Sequence, residues 1–182
     1  MGFETKKFVY SRLIRNFVDH HLMIDVFTIV TYDQPSIRER SIEVPAENIT
    51  TQEFRDFIEK LLRTFDSQKN AAGLASPQCG VNQRVVIVQI GREAKVMVNP
   101  ELTKISTTEV ETEEGCFSLP NVYGLVTRPK RVSVKFIDRH GRRAELDVKK
   151  IEAVAVQHEI DHLDGILFVD KATKITQGKW PA

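Results

Sequence analysis

The apolar positions change period twice along the chain. Over residues 51–67, Phe54, Phe57, Ile58, Leu61, Leu62 and Phe65 recur at i, i+3, i+4, i+7, i+8 and i+11, a broad stripe that predicts a scaffold helix. Thr50 and Glu53 have the spacing of a capping box at its start. NAAGLASPQCGVNQR (70–84) follows, rich in small residues that let backbone approach a ligand or another strand. The pattern then turns extended. Strands are predicted at 84–90, 94–100, 102–111, 123–129, 131–138 and 142–148, with Gly91 joining the first two and DRHG (138–141) making a hairpin turn. A second helix is expected over 149–163, ending before Gly165, and GILFVD (165–170) reads as one more strand. Upstream, IDVFTIV (24–30) reads as a short strand or extended lead-in, and YDQPSIRERSIEVP (32–45) as a loop.

Helix, several strands, helix is the order of a segregated α+β domain, not of alternating βαβ units. The expected architecture is mostly antiparallel β-sheets around a central second helix, with the first helix as scaffold. The expected division is an N-terminal extension (1–23), one domain (24–170) and a short C-terminal tail (171–182). In the extension, Val9, Tyr10, Leu13, Ile14 and Phe17 fall opposite Arg12, Arg15, Asn16 and Asp19, an amphipathic helix over 6–23. We read it as a surface helix packed on the domain. Glu4 and Asp19 argue against a targeting sequence, and a partner-binding helix is the remaining alternative.

Composition narrows the function. The chain has 182 residues, with 26 basic against 25 acidic and a net charge of +1, so no strong field for nucleic acid or an anionic membrane is expected. No apolar run reaches the length of a membrane span. The two cysteines, Cys79 and Cys116, make no disulfide framework, and a reducing compartment such as the cytoplasm is the expected setting.

The candidate chemistry lies in the second helix, in VAVQHEIDHLDG (154–165). His158 and His162 are i and i+4, so their rings can converge on one ion. Glu159 follows His158 directly, as in H-E-x-x-H helices, where the glutamate is the general base of a metallohydrolase. The bland alternative is a polar helix with two histidines by chance. Two ligands do not complete a catalytic site, which usually has three. No histidine follows His162; Asp164 and Asp170 are carboxylate candidates. Upstream, EEGCFSLP (113–120) offers Cys116 as a better one, against the alternative of a buried core thiol. Cys79 reads as a non-ligand thiol.

GLASPQ (73–78), EEGCFSLP (113–120) and QHEIDHLDG (157–165), in this order, resemble the motifs of peptide deformylases. The joint match is far more specific than any one piece. The resemblance implies an α+β metallohydrolase that removes the formyl group from N-formyl-methionyl peptides leaving the ribosome. It implies Cys116, His158 and His162 as ligands of one divalent ion, Fe(II) natively, with Zn, Ni or Co in purified samples. Glu159 would be the general base; the Gln78 amide and the Phe117 backbone N–H would stabilise the oxyanion. Gly73, Leu74 and Gly115 would border the substrate, with Gly73 letting a peptide pair in extended form. Glu114, Arg128 and Asp161 would support the ligands from behind. N-formyl-methionyl nascent chains are the implied partner, with ribosome contact, no direct nucleic-acid binding and no membrane. A cytoplasmic location follows, or an organellar one in a eukaryotic source.

Three positions depart from the family pattern. Ala71 stands at the first motif's first glycine, where its Cβ would restrict a positive φ. Ser76 replaces alanine and reads as a locally satisfied hydroxyl. Phe117 replaces leucine and keeps its backbone donor. Two other readings stay open: an H-E-x-x-H zinc endoprotease, which does not need Cys116, and a deformylase-like protein that binds nascent peptides with reduced or no turnover.

Overall fold

The structure is a computed structural model and describes residues 25–180. The amphipathic stretch expected over 6–23 lies outside them. Among the described residues there are two α-helices, α1 (Gln52–Ser67) and α2 (Ile151–Leu163). The strands are β1 (Gly73–Ala75), β2 (Val85–Ile90), β3 (Glu93–Ile105), β4 (Glu109–Cys116), β5 (Leu119–Pro129), β6 (Arg131–Ile137), β7 (Arg143–Lys149) and β8 (Ala172–Gln177). They form a five-stranded sheet, β1-β2-β3-β6-β7, and a three-stranded sheet, β4-β5-β8, all paired antiparallel. This is the expected α+β class.

The larger sheet lies between the helices. Val86 and Val88 of β2 pack with Ala153, Val156, Ile160 and Leu163 of α2. Their neighbours Val85 and Ile87 pack with Phe54, Ile58, Leu61 and Phe65 of α1. Successive strand side chains point to opposite faces, so Val85–Val88 of β2 are apolar without a break because both faces are covered there. A third core, with Leu119, Val122, Val126, Leu167, Phe168 and Val169, sits against the smaller sheet.

Four local expectations need correction. The cap of α1 is Thr51, not Thr50: the Thr51 hydroxyl accepts from the Phe54 amide at 3.2 Å. The strand expected at 102–111 is split. β3 ends at Ile105, and β4 begins at Glu109 in the other sheet. The turn carries neither Gly nor Pro; it is held by Ser106, whose N–H donates to Arg131 O and whose hydroxyl donates to Thr108 O. GILFVD forms no strand. Phe168–Asp170 is a 3₁₀ turn, its apolar residues sunk in the third core, and the Asp170 carboxylate accepts from Leu167 N at 2.8 Å. Residues 171–182, expected as a tail, contribute β8, which adds to β5. Residues 25–30 are an extended lead-in without strand pairing, with Val30 N–H donating to Gln78 O at 2.8 Å.

Candidate metal centre

Three segments converge. A 3₁₀ turn, Ser76–Cys79, follows β1 and carries Gln78. The end of β4 presents Cys116, where the β4–β5 pairing is irregular between Gly115 and Cys116. α2 presents His158, Glu159 and His162 from its buried length. They meet in a cleft of about 600 Å³ lined by Gly73, Gln78, Gly115, Cys116, His158 and Glu159. Phe117 lines its wall, and Val154, Ala155, Ile151 and Tyr123 extend it outward.

One ligand atom each from Cys116, His158 and His162 lies within 4.8 Å of the others. Cys116 Sγ and His162 Nε2 are 3.2 Å apart. The alternative carboxylates lie elsewhere in the structure: Asp164 pairs with Arg84 at 2.7 Å, and Asp170 with Arg38. His158 Nδ1 meets Glu114 Oε2 at 2.8 Å, which turns its other ring nitrogen to the cleft. Arg128 grips Glu114 with Nε and Nη2 and reaches Asp161 Oδ2 at 2.7 Å with Nη1.

These groups suit a divalent cation. Burial opposes a proton on His158, yet hydrogen bonds to Cys116 and Glu114 and the Glu159 charge outweigh it and raise its affinity well above the usual imidazole range. Positive charge is favoured at that point. Burial and the neighbouring His158 and Arg128 charges push His162 well below that range, leaving it neutral as a ligand must be. Burial opposes ionised Glu114 too, but its bonds to His158 and Arg128 hold it at about 2. Burial pushes Glu159 up to about 7 against the pull of His158 and Arg128. Glu159 Oε2 and His162 Nδ1 are buried without a hydrogen-bond partner.

The flanking residues fix the orientation of these groups. Ala75 N–H donates to Gln78 Oε1 at 2.8 Å, so the Gln78 amide nitrogen faces the site, 3.3 Å from both Cys116 Sγ and Ser118 Oγ. Gly73 has no room for a side chain: a Cβ there would lie 2.4 Å from Glu159 Oε1. At Gly115 a Cβ would lie 2.7 Å from the Tyr123 ring. Leu74 points into the α1 core rather than the cleft, which corrects its expected place beside the substrate. Ala71 carries no positive φ; the left-handed residue is Asn70, at φ 60°. Ser76 donates to Gln83 O and is fully buried. Cys79 is buried in the α1 core, and burial with the Glu159 charge pushes its thiol up to about 12.

Sequence reasoning missed Ser118, although it lies within the quoted Cys116 motif. It also missed Lys171, whose Nζ reaches Asp161 Oδ1 at 2.6 Å. No motif marks Lys171, since its role depends on how the chain returns after α2.

A thiol and two imidazoles around one point, with a carboxylate beside them and an edge strand along the cleft, define a metal-dependent hydrolase of peptide-like amides. The family model for polypeptide deformylase matches residues 26–178. A peptide deformylase of Pelotomaculum thermopropionicum is 40% identical over 150 residues, covering 82% of this chain and 94% of its own. One from Caldicellulosiruptor bescii is 41% identical over 152 residues, covering 80% and 85%. Among solved structures, the Met-Ala-Ser-bound class I type b peptide deformylase of Acinetobacter baumannii superposes with a TM-score of 0.77 at 31% identity, covering 82% of this chain and 99% of that one. The Thermotoga maritima peptide deformylase gives 0.76 at 30%, covering 81% and 98%. The chain belongs to the polypeptide deformylase family. Its reaction is removal of the formyl group from N-terminal formyl-methionine, with release of formate. That decides against the endoprotease reading.

Proposed function

We propose that Cys116, His158 and His162 hold one divalent ion, Fe(II) in the cell and Zn, Ni or Co by substitution, and that Glu159, Gln78 and Phe117 carry out the proton and charge work of deformylation. The observation that carries the reading is the convergence of those three ligand atoms within 4.8 Å beside Glu159. When bound, the ion would acidify a water and polarise the formyl carbonyl.

The protein groups do the rest. The formyl-methionyl chain lies extended along the open edge of β1, whose Gly73 leaves space for it. Its methionine side chain enters the part of the cleft walled by Phe117, Val154 and Ala155. Glu159 takes the proton of the attacking water as the new C–O bond forms at the formyl carbon. Negative charge growing on the formyl oxygen is met by the Gln78 amide and the Phe117 N–H. As the C–N bond breaks, Glu159 passes the proton to the departing amine, and formate leaves.

Glu114, Arg128 and Asp161 hold His158 in the tautomer and orientation a ligand needs. The working partner is the nascent chain, met at the ribosome, in the cytoplasm or in an organelle of a eukaryotic source. The test is formate release from formyl-Met-Ala-Ser by protein loaded anaerobically with Fe(II) or Ni(II). Cys116→Ala should lose both bound metal and activity. A Cys116→Ala protein that keeps both would overturn the ligand assignment.

A further inference from the structure

Behind the ligands lies a line of charges: Glu114, Arg128, Asp161 and Lys171. Arg128 is shared between two carboxylates, Glu114 by two bonds and Asp161 by one. All three are buried or nearly so. Alone they carry one excess negative charge, and both carboxylates compete for one guanidinium. Lys171 resolves the competition. Its ammonium meets the second oxygen of Asp161 at 2.6 Å, from a side chain 42% exposed. It is not a loose surface lysine. Its N–H donates to Phe168 O at 3.0 Å at the end of the 3₁₀ turn, and β8 starts at the next residue.

We propose that Lys171 is a positioning residue for the metal centre. By neutralising Asp161 it leaves Arg128 clamped on Glu114, and Glu114 in turn fixes the His158 ring. Without the ammonium, Asp161 would draw Arg128 toward itself, weaken one of its bonds to Glu114 and let the ring turn. Charge is what the position requires, because the carboxylate oxygen that Lys171 contacts is the one Arg128 does not. The strand that anchors Lys171 thereby couples the C-terminal segment to the ligand His158.

The inference rests on Cys116, His158 and His162 being ligands, and the experiment separates the two. Co(II) is loaded into wild type, and its visible absorption and release to a chelator are followed. Outer partners of ligands change metal affinity about 10–100-fold, and a group three contacts beyond such a partner should act less. Lys171→Met and Lys171→Gln should both release Co(II) about five- to tenfold faster than wild type, with an altered absorption band. Deformylation by these variants should fall in kcat with KM for formyl-Met-Ala-Ser unchanged. Lys171→Arg should restore release rate and band. In an Asp161→Asn background, where the competing carboxylate is gone, Lys171→Met should add less than about twofold.

Wild-type protein that takes up no Co(II) would overturn the ligand reading and this one with it. Normal wild-type uptake with unchanged release in both Lys171 variants would overturn the Lys171 role alone. So would a full additional effect in the Asp161→Asn background. A lowered melting temperature with no change in band or release would mark Lys171 as a stability residue only.

Discussion

The helices α1 and α2 cover opposite faces of one sheet but meet different demands. α1 buries Phe54, Ile58, Leu61, Thr64 and Phe65 on one side and leaves its charged side in water. α2 is buried over the whole of Ala153–Leu163, with Gln157, His158, Glu159, Asp161 and His162 inside the protein. Apart from Thr64, whose buried hydroxyl donates to Lys60 O and accepts from the Phe27 N–H, the polar groups of α1 face solvent and ask nothing of the fold. Those of α2 must each be matched, since an unpaired buried polar group costs about 1–3 kcal/mol by mutational measure. Gln157 donates to Ala153 O and Pro129 O, His158 meets Glu114, and Asp161 meets Arg128 and Lys171. What is left without a partner is Glu159 Oε2 and His162 Nδ1, on the base and on a ligand. One helix is built for stability, and the other spends stability on a site.

If that contrast holds, substitutions in α2 should separate activity from folding. Glu159→Gln keeps the side chain's volume and removes its ability to carry the proton. Deformylation should fall by about 10²–10⁴-fold, the usual worth of a general acid–base group. Metal content should stay stoichiometric and the melting temperature should not drop. Activity within tenfold of wild type would remove Glu159 from the chemistry and break the contrast at its strongest point. Gly73→Ala strikes the same group from outside the helix. The new methyl group would sit 2.4 Å from Glu159 Oε1 and must push the carboxylate aside. A displaced catalytic group costs up to about a hundredfold in kcat. The overpacking itself should cost about 1–3 kcal/mol of stability. Wild-type turnover would mean that Glu159 tolerates movement and that its tight seat beside Gly73 has no catalytic purpose.

The same contrast explains what could be read in advance. α1 announced itself by its period, because one wet face and one dry face leave a 3.6-residue repeat. α2 is buried almost all round, so its polar residues follow no such repeat, and what marked it was the pairing of His158 and His162 around Glu159. Cys116 lies on a different sheet, and only motif order tied it to the helix. The Arg128–Asp161–Lys171 contacts join β5, α2 and the start of β8, a juxtaposition made by tertiary structure alone. Leu74 was misplaced because the alternation along β1 sends it to the α1 face, whereas Gly73 and Gln78 face the cleft. The β3–β4 boundary was missed because the Ser106 side chain turns the chain, its hydroxyl donating to the Thr108 carbonyl, leaving no Gly or Pro to read.

On the α1 side the expectation is reversed. Leu61 is fully buried against the sheet and far from any ligand. Leu61→Ala should cost about 2–5 kcal/mol in chemical denaturation through the cavity it leaves. At low temperature, kcat per folded molecule and metal content should be unchanged. A selective loss of metal in this variant would show that α1 reaches the site through the sheet, and the division between the helices would fail.

The smallest effect tests where α1 begins. Thr50 and Thr51 are adjacent, and spacing to Glu53 favours the first. In the fold it is Thr51 that adopts the extended cap conformation, with φ −72° and ψ 159°, and accepts from the Phe54 amide. Its hydroxyl also donates to Asn48 O at 2.7 Å, so one group serves both the incoming loop and the helix. At Thr50 it is the backbone carbonyl that takes a bond, from Arg55, and this survives loss of the side chain. Thr51→Ala should therefore cost about 1 kcal/mol, which for a domain of this size is a fall of about 2–4 °C in melting temperature. Thr50→Ala should shift it by less than about half as much, since substitutions away from such features stay within about 0.5 kcal/mol. Equal shifts would place the cap on both threonines, while a larger shift for Thr50 would restore the boundary that spacing suggests. In either case turnover by the folded protein should not move, because nothing at this end of α1 touches the cleft.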